Sequence, residues 1–232
     1  MGRRDVERRR RFERLREFDR AFDPAAWAAG RLAGVDEAGV GPLAGPVVAA
    51  AVVLPPEFEL PELFDSKQMT ASERLRCARA VRDAALAFGI TRVSPQRIDR
   101  INIRRAMFVA HRQALAKLSI VPDVVLVDGR WLGKLPAGFQ GARATAVVKG
   151  DTLSLAIAAA SVLAKVARDR LLVRLDREFP QYGFARHKGY STAEHMQALR
   201  DHGLSAVHRR SFCGFLEHEK LLARQGQLAL EP

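Results

Sequence analysis

Two long apolar runs, set among segments with helical periodicity, constrain the fold of this chain more than any other feature. Residues 47–54 and 123–127 are apolar almost throughout, as expected of strands that are buried on both faces of a sheet. Helical patterns cover 71–88, 102–119 and 152–177. Because strands alternate with helices, we predict an α/β fold with a mostly buried sheet.

The chain divides by composition into three parts. Residues 1–29 are rich in arginine, and the spacing of their apolar residues predicts a basic helix or arm, either solvated or in contact with nucleic acid. Residues 30–178 carry the strand and helix patterns of the core. Residues 179–232 combine turns rich in glycine and proline with short helical patterns, which predicts a C-terminal helical segment.

The sequence contains no targeting or membrane-spanning pattern. No apolar run reaches the length of a membrane span, and the N-terminal residues lack the apolar stretch of a secretory signal. The two cysteines, Cys77 and Cys213, have no metal-binding or redox spacing and suit a reducing compartment. We therefore expect a cytoplasmic protein that does not associate with membranes. In the absence of a coiled-coil pattern, we also expect a monomer.

The charge of the chain indicates its class of partner. The formal net charge is +12. Lysine and arginine release condensed counterions when they bind phosphates, so a charge of this size favours nucleic acid or another polyphosphate. The alternative is a basic surface that only maintains solubility. Charge alone indicates no chemistry.

Three acidic residues lie at the ends of predicted strands. Asp36 and Glu37 end one apolar segment, and Asp128, followed by Gly129, ends another. Ligands of open α/β sheets bind at the carboxyl ends of strands, so these side chains are placed for a site. Asp followed by Gly is also a common turn, and that interpretation stays open for Asp128. Adjacent Asp36 and Glu37 repel each other unless a cation compensates them.

A fourth acidic residue lies on the long helix. At about 100° per residue, one polar stripe runs beside apolar positions and comprises Ser154, Ala158, Ser161, Lys165 and Asp169. Lys165 and Asp169 form a buried ion pair in one interpretation, and Asp169 joins the strand-end acids in the other. Mg²⁺ and Mn²⁺ prefer carboxylate and phosphate oxygens and promote phosphodiester hydrolysis. A basic protein with clustered carboxylates therefore suggests a metal-dependent nuclease.

Short motifs across residues 31–215 resemble, in the same order, those of the ribonuclease HII family. The first are GVDEAGVGPLAGPV from Gly34, DSK from Asp65, VDG from Val127 and KGD from Lys149. The others are Ser154, IAAASVLAK from Ile157, RDR from Arg168, HKGY from His187, Thr192 and HRRSF from His208. So many unrelated motifs in one order make the resemblance highly specific.

The resemblance implies a ribonuclease H-like fold, with a mixed five-stranded sheet flanked by helices and a C-terminal helical lobe. It implies an endonuclease that cuts the RNA strand of RNA–DNA hybrids. The same enzyme incises duplex DNA 5′ to an embedded ribonucleotide and leaves 3′-hydroxyl and 5′-phosphate ends. The implied cofactor is Mg²⁺ or Mn²⁺.

The resemblance also implies the functional residues. The implied catalytic metal ligands are Asp36, Glu37, Asp128 and Asp169. The implied substrate contacts are Gly39, Val40, Gly41, Lys67, Lys149, Ser154, Lys165 and Tyr190. In the family the tyrosine packs on a deoxynucleotide sugar. The alternative role of Tyr190 is to close a local loop.

One residue departs from the family pattern. The family has Gly-Arg-Gly where this chain has Gly39-Val40-Gly41, and the backbone of that tripeptide reads the ribose 2′-hydroxyl. Both glycines, which permit a close backbone approach, are present. We therefore expect 2′-hydroxyl recognition to persist, with the loss of one charge-assisted phosphate contact.

Asp36 and Glu37 raise a geometric question, because neighbours on a regular strand face opposite sides of a sheet. Both side chains serve one site only if the strand ends or bulges nearby. We expect a break at Ala38-Gly39.

Three other interpretations compete with this one. The tripeptide Gly39-Val40-Gly41 fits a dinucleotide-binding fingerprint, but Pro42 and Pro46 lie where that motif requires a helix. A non-catalytic nucleic-acid-binding protein on the same fold is the second. Another metal nuclease, such as a junction resolvase, is the third, because a fold does not determine a function.

Overall fold

A computed structural model of the protein describes residues 2–64, 66–130 and 133–216. The strands are β1 (Leu32–Ala38), β2 (Val47–Val53), β3 (Ala87–Val93), β4 (Val124–Asp128) and β5 (Arg143–Val147). The helices are α1 (Arg3–Phe22), α2 (Pro24–Ala28), α3 (Ala71–Ala84), α4 (Pro95–Ile101), α5 (Ile103–Leu115), α6 (Leu155–Glu178), α7 (Phe184–His187) and α8 (Ala193–His202). Asp65 of the DSK motif and residues 217–232 of the predicted C-terminal segment lie outside the described residues.

The five strands form one mixed sheet in the order β3-β2-β1-β4-β5. The pairs β1–β2 and β2–β3 are antiparallel, whereas β1–β4 and β4–β5 are parallel. The predicted mixed five-stranded sheet with flanking helices is therefore confirmed. Its central strands β1 and β4 run in the same direction, so their carboxyl ends lie at the same edge of the sheet.

Both faces of the sheet are covered, which explains why β2 is apolar throughout and β4 is apolar up to Asp128. Alternate residues of β2 point to opposite sides. Ala50 and Val52 pack in a cluster with side chains of α1, α3 and α6, while Ala49 and Ala51 pack in a cluster with side chains of α5. In the described part of the chain, no helix is both long and apolar enough to cross a membrane.

Helix α6 lies directly on β1 because Gly34 has no side chain. A Cβ atom at this position would lie 2.1 Å from the carbonyl carbon of Ala156. The first turns of α6 are a run of small and apolar residues, all buried. This close packing sets the position of α6 relative to the strand that carries Asp36 and Glu37.

The predicted helix at 102–119 corresponds to α5, and α4, which the sequence patterns did not predict, precedes it. Asn102 has a positive φ of 63°, which separates α4 from α5. Its side chain accepts a hydrogen bond from the backbone N–H of Arg105 at 3.1 Å and so caps α5. Helix α5 therefore begins where the pattern placed the start of the helix, and it ends at Leu115.

The arginine-rich N-terminal segment forms a helix with one buried face. Phe12 and Leu15 of α1 belong to the hydrophobic cluster beneath α6. Asp19 is fully buried and accepts a hydrogen bond from the backbone N–H of Ala156, at the start of α6, at 2.8 Å. Burial raises the pKa of Asp19 to about 7, although a hydrogen bond with Ser154 acts in the opposite direction. Helix α1 is thus anchored to the same face of the sheet as α6.

Candidate active site

Two acidic side chains meet where the central parallel strands end. In the β1–β4 pairing, Val35 lies opposite Val127, so Asp36 and Asp128 are the next residues on strands about 4.8 Å apart. Asp36 is buried and Asp128 is partly buried. The parallel topology therefore brings together two carboxylates that lie far apart in the sequence.

The environment of Asp36 disfavours its charged form. Burial raises the pKa of the Asp36 carboxyl well above its usual value, and the negative charges of Glu37 and Asp128 raise it further. Hydrogen bonds with the Ser161 side chain and with the backbone N–H of Glu37, at 2.7 Å, oppose this shift. Ser161 lies on α6, so the helix contacts the site at this point.

Asp128 is held by the turn that precedes α6. Its Oδ1 accepts a hydrogen bond from the backbone N–H of Gly150 at 2.6 Å. Burial raises the pKa of the Asp128 carboxyl most, and the negative charges of Asp151 and Glu37 raise it further. Asp151 is buried and its Oδ2 lies 2.7 Å from Nζ of Lys67. The structure therefore adds Asp151 to the strand-end acids.

The structure does not bring Asp169 into this group. Its Oδ1 lies 2.8 Å from Nζ of Lys165, and its Oδ2 lies 3.9 Å from a guanidinium nitrogen of Arg74. On α6, Asp169 is eight residues beyond Ser161, which is about 12 Å along the axis and about 80° around it. Of the two interpretations of the polar stripe, the structure shows the ion pair, and Lys165 is engaged in it.

Glu37 faces the opposite side of the sheet from Asp36. Both residues are in regular register with β2, opposite Ala49 and Ala50 respectively, and Oε2 of Glu37 lies 2.6 Å from Nε2 of His111 on α5. The strand ends at Ala38, as expected, and Gly39 has a φ of +94°. The two carboxylates thus flank the end of β1 from its two faces.

The donor chemistry of these acids fits a hard divalent cation. In the part of the chain that the structure describes, no three acidic, histidine or cysteine side chains are already gathered closely enough to hold an ion. The set nevertheless supplies only carboxylate oxygens, and the negative charges of its members raise the pKa of Asp36 and of Asp128. A divalent cation relieves that repulsion. The four acids of the site are Asp36, Glu37, Asp128 and Asp151.

A buried arginine of α6 supports the loop that carries the glycine tripeptide. The guanidinium of Arg168 donates hydrogen bonds to the carbonyl oxygens of Pro46, Lys188 and Ala44, at 3.1, 3.1 and 3.0 Å. A Cβ atom on Gly39 would lie 2.0 Å from Nε of Arg168. Only glycine fits here, because the backbone also has a positive φ.

A second buried arginine, Arg209, supports the same loop from the C-terminal region. Its guanidinium donates hydrogen bonds to the carbonyl oxygens of Gly45, Val40 and Gly39, at 3.0, 2.9 and 2.5 Å. Burial lowers the pKa of Arg209 to about 9. Sequence reasoning assigned no role to Arg168 or Arg209, although each lies in one of the motifs that carry the resemblance, RDR and HRRSF.

The other predicted substrate contacts differ in how far they are exposed to solvent. Ser154 is fully buried and accepts a hydrogen bond from the backbone N–H of Ile157, so it caps α6 and offers no surface to a substrate. Its role in substrate binding stays a prediction. The predicted residues that are exposed at the surface are Val40, Gly41, Lys67, Lys149 and Tyr190.

A chain of buried histidines holds the backbone of Tyr190. The N–H of Ser205 donates to Nδ1 of His208 at 3.0 Å, which leaves the proton of a neutral His208 on Nε2. That nitrogen lies 3.0 Å from Nε2 of His195, which therefore accepts and carries its own proton on Nδ1. Nδ1 of His195 donates to the carbonyl oxygen of Tyr190 at 2.8 Å. The chain is complete only while both rings are neutral.

Acid is expected to destabilise the protein through this cluster. Burial lowers the pKa of His208 to about 4, below its usual value of about 6.5, so the folded state binds fewer protons than the unfolded state. The contribution of His208 to the free energy of unfolding is fully present above about pH 6.5 and decreases as the pH falls towards 4. We expect His208 alone to lower the free energy of unfolding by about 2 kcal/mol between pH 7.5 and 5.

Urea unfolding of the wild type and of His208→Gln at both pH values measures this effect. The glutamine variant is expected to be less stable at pH 7.5 and to lose less stability on acidification. An equal loss in both proteins would show that His208 does not carry the acid sensitivity.

Solved structures share this fold. Ribonuclease H2 from Pyrococcus horikoshii OT3 aligns with a TM-score of 0.68 and 26% identity, covering 81% of this chain and 97% of that one. Ribonuclease HII in a PCNA complex from Archaeoglobus fulgidus aligns with a TM-score of 0.64 and 26% identity, covering 77% and 92%. The fold, with acidic residues at the ends of its central strands, defines a ribonuclease H enzyme.

Sequence comparison narrows this class to one family. The family profile described as Ribonuclease HII matches residues 33–215. Ribonuclease HII of Geotalea daltonii is 48% identical over 206 residues, covering 89% of this chain and 92% of the relative. Ribonuclease HII 1 of Methylibium petroleiphilum is 51% identical over 180 residues, covering 78% and 88%. The chain belongs to the ribonuclease HII family.

Proposed function

We propose that the protein is an endonuclease that hydrolyses the RNA strand of RNA–DNA hybrids and incises duplex DNA 5′ to embedded ribonucleotides. It leaves 3′-hydroxyl and 5′-phosphate ends. The observation that carries the proposal is the meeting of carboxylates from β1, β4 and the turn at 150–152 in a chain with a net charge of +12. We also propose that it acts as a monomer in the cytoplasm.

The carboxylates that would hold Mg²⁺ or Mn²⁺ are Asp36, Glu37, Asp128 and Asp151. A bound divalent cation activates water and stabilises the leaving oxygen in phosphodiester hydrolysis. The chain itself fixes Asp128 through the N–H of Gly150 and Asp36 through Ser161. Asp151 takes the place that the resemblance gave to Asp169, because the charge and the backbone N–H of Asp151 both act on the carboxyl of Asp128.

The loop that carries Gly39-Val40-Gly41 and the side chain of Tyr190 would recognise the substrate. The carbonyl groups of Gly39 and Val40 are held by Arg209, which fixes the orientation of the peptide units that would contact the 2′-hydroxyl. The ring of Tyr190 is exposed, while its carbonyl is held by His195. A fixed backbone with an exposed ring suits packing against a sugar.

A cleavage assay on matched duplexes tests the proposal. A DNA duplex with one ribonucleotide should be nicked 5′ to that residue in Mg²⁺ or Mn²⁺ and stay intact in EDTA. The same duplex without the ribonucleotide should not be cut. Binding without cleavage would support a non-catalytic protein instead, and cutting of the all-DNA control would indicate a different nuclease.

Val40→Arg tests the departure from the family tripeptide. The side chain of Val40 is exposed, so an arginine fits there and restores one charge-assisted phosphate contact. We expect the affinity or the cleavage rate to rise by roughly tenfold, the effect of about 1.4 kcal/mol. Val40→Gln is the uncharged control. A cleavage rate for Val40→Arg that is unchanged or lower than wild type would reject this explanation.

A further inference from the structure

The N-terminal helix α1 precedes the region that matches the family profile, residues 33–215, yet its side chains reach the candidate active site. A surface cavity of about 240 Å³ lies between α1, the segment before α3 and the turn at 150–152. Its lining residues are Arg11, Arg14, Leu15, Phe64, Gln68, Asp151 and Thr152. Two arginines of α1 therefore border a cavity that contains one of the proposed metal-binding carboxylates.

The position of α1 is fixed by the core. Phe12 and Leu15 are buried in the main hydrophobic cluster, and buried Asp19 accepts a hydrogen bond from the N–H of Ala156 at the start of α6. Arg11 and Arg14 are direct neighbours of Phe12 and Leu15 in the sequence. The packing of those two apolar residues therefore also sets the side of the helix on which the arginines lie. They lie three residues apart and therefore on one side of α1.

Three arginines of α1 form ion pairs with residues outside the helix. Arg8 forms an ion pair with Glu73 at 2.7 Å, and Arg9 and Arg16 pair with Glu59 at 2.7 and 2.5 Å. These ion pairs connect α1 to the segment between Glu59 and Glu73, which contains Lys67.

Arg11 and Arg14 differ from that group. No ion pair between described residues involves either of them, and the guanidinium of Arg11 lies 4.7 Å from the centre of the Phe64 ring. The acid in the cavity, Asp151, already has an ion-pair partner in Lys67 at 2.7 Å. The cavity therefore has excess positive charge beside the carboxylate cluster.

We propose that Arg11 and Arg14 form a subsite for one backbone phosphate of the nucleic acid substrate, next to the cleavage centre; this rests on the proposed function. Guanidinium groups bind phosphate oxygens through paired, charge-assisted hydrogen bonds. The Phe64 ring holds the Arg11 guanidinium by a cation–π contact and limits the conformational freedom lost on binding. The N-terminal helix thus extends the substrate-binding surface beyond the part of the chain that the family profile covers.

Binding measured without cleavage tests the subsite. Arg11→Gln/Arg14→Gln is compared with Arg4→Gln/Arg10→Gln, which makes the same charge change at two exposed positions on the same helix. A ribonucleotide-containing duplex is titrated in EDTA at several salt concentrations. We expect the Kd of the first variant to rise on the order of tenfold and the slope of log Kd against log salt to fall by about two. The control variant should shift both quantities much less.

Neutral methylphosphonate substitutions, placed at one phosphate at a time, locate the contact. One substitution should weaken binding to the wild type and to the Arg4/Arg10 variant, but not to the Arg11/Arg14 variant. Arg11→Lys/Arg14→Lys keeps the charge without the planar guanidinium and should give an intermediate Kd. Thermal unfolding midpoints establish that all variants are folded.

Equal effects of the two glutamine pairs, or no phosphate that distinguishes them, would overturn the subsite. These outcomes are separate from the cleavage result. A wild type that binds but never cleaves refutes the proposed function, whereas a wild type that cleaves while Arg11→Gln/Arg14→Gln binds unchanged refutes only the subsite.

Discussion

Asp151→Asn is expected to lower the single-turnover cleavage rate on the order of a hundredfold or more, whereas Asp169→Asn should keep most of the wild-type rate. Asparagine has nearly the same size as aspartate but lacks the negative charge that a cation requires. Asp151 is buried and raises the pKa of Asp128 through its charge, so it belongs to the carboxylate group. Asp169 is engaged with Lys165 and Arg74 instead.

The comparison requires rates and affinities for the same duplex. Asp36→Asn and Asp128→Asn are the reference variants and should abolish cleavage with little loss of binding, because the carboxylates do not contribute attraction to phosphates. If Asp169→Asn were inactive and Asp151→Asn active, the original assignment from the resemblance would be correct and the electrostatic grouping misleading. A parallel loss of binding and cleavage would indicate misfolding.

Arg168→Leu is expected to lower the free energy of unfolding by about 3 kcal/mol and to disrupt the loop that carries Gly39-Val40-Gly41. The buried guanidinium donates to three carbonyl groups, those of Ala44, Pro46 and Lys188. Leucine leaves all three without this donor, and an unsatisfied buried acceptor costs about 1–3 kcal/mol. Burial lowers the pKa of Arg168, so the folded state already bears a desolvation cost that these bonds offset.

Arg170→Leu, two residues further along the same helix, is the matched control because its side chain is exposed. Urea unfolding should show a lower midpoint for Arg168→Leu and a midpoint close to wild type for Arg170→Leu. Arg168→Leu should also cleave more slowly under conditions where it is folded, since the loop loses its support. Similar unfolding midpoints for the two variants would show that Arg168 does not stabilise the loop.

The fold and the strand-end acids were predictable because both depend on patterns local to a segment. Apolar runs indicated β2 and β4, and the position of Asp36 and Asp128 after such runs indicated the carboxyl edge of the sheet. The pairing of β1 with β4, which brings these two residues together, is a long-range feature that periodicity does not contain. The resemblance implied that these two residues share a site, and the structure shows the pairing.

The polar stripe of α6 left two roles open for Asp169, and the resemblance implied the metal-binding one. A stripe does not show which of its residues lies beside the strand ends, and Asp169 lies about 12 Å along the helix beyond the residue that contacts Asp36. Asp151 was visible in the KGD motif and received no role, because a turn before a helix has no periodicity to interpret. The roles of Arg168 and Arg209 depend on backbone carbonyls of a folded loop, which no side-chain pattern reveals.

The central claim is that Asp36, Glu37, Asp128 and Asp151 converge around divalent cations at the carboxyl edge of the sheet. Anomalous scattering from crystals soaked in Mn²⁺ tests it most directly, because it locates the ion without reference to activity. We expect an anomalous peak between the carboxylates of Asp36 and Asp128, and its loss in Asp36→Asn/Asp128→Asn. Saturating Mn²⁺ without a peak there, or with a peak at Asp169 instead, would contradict the account.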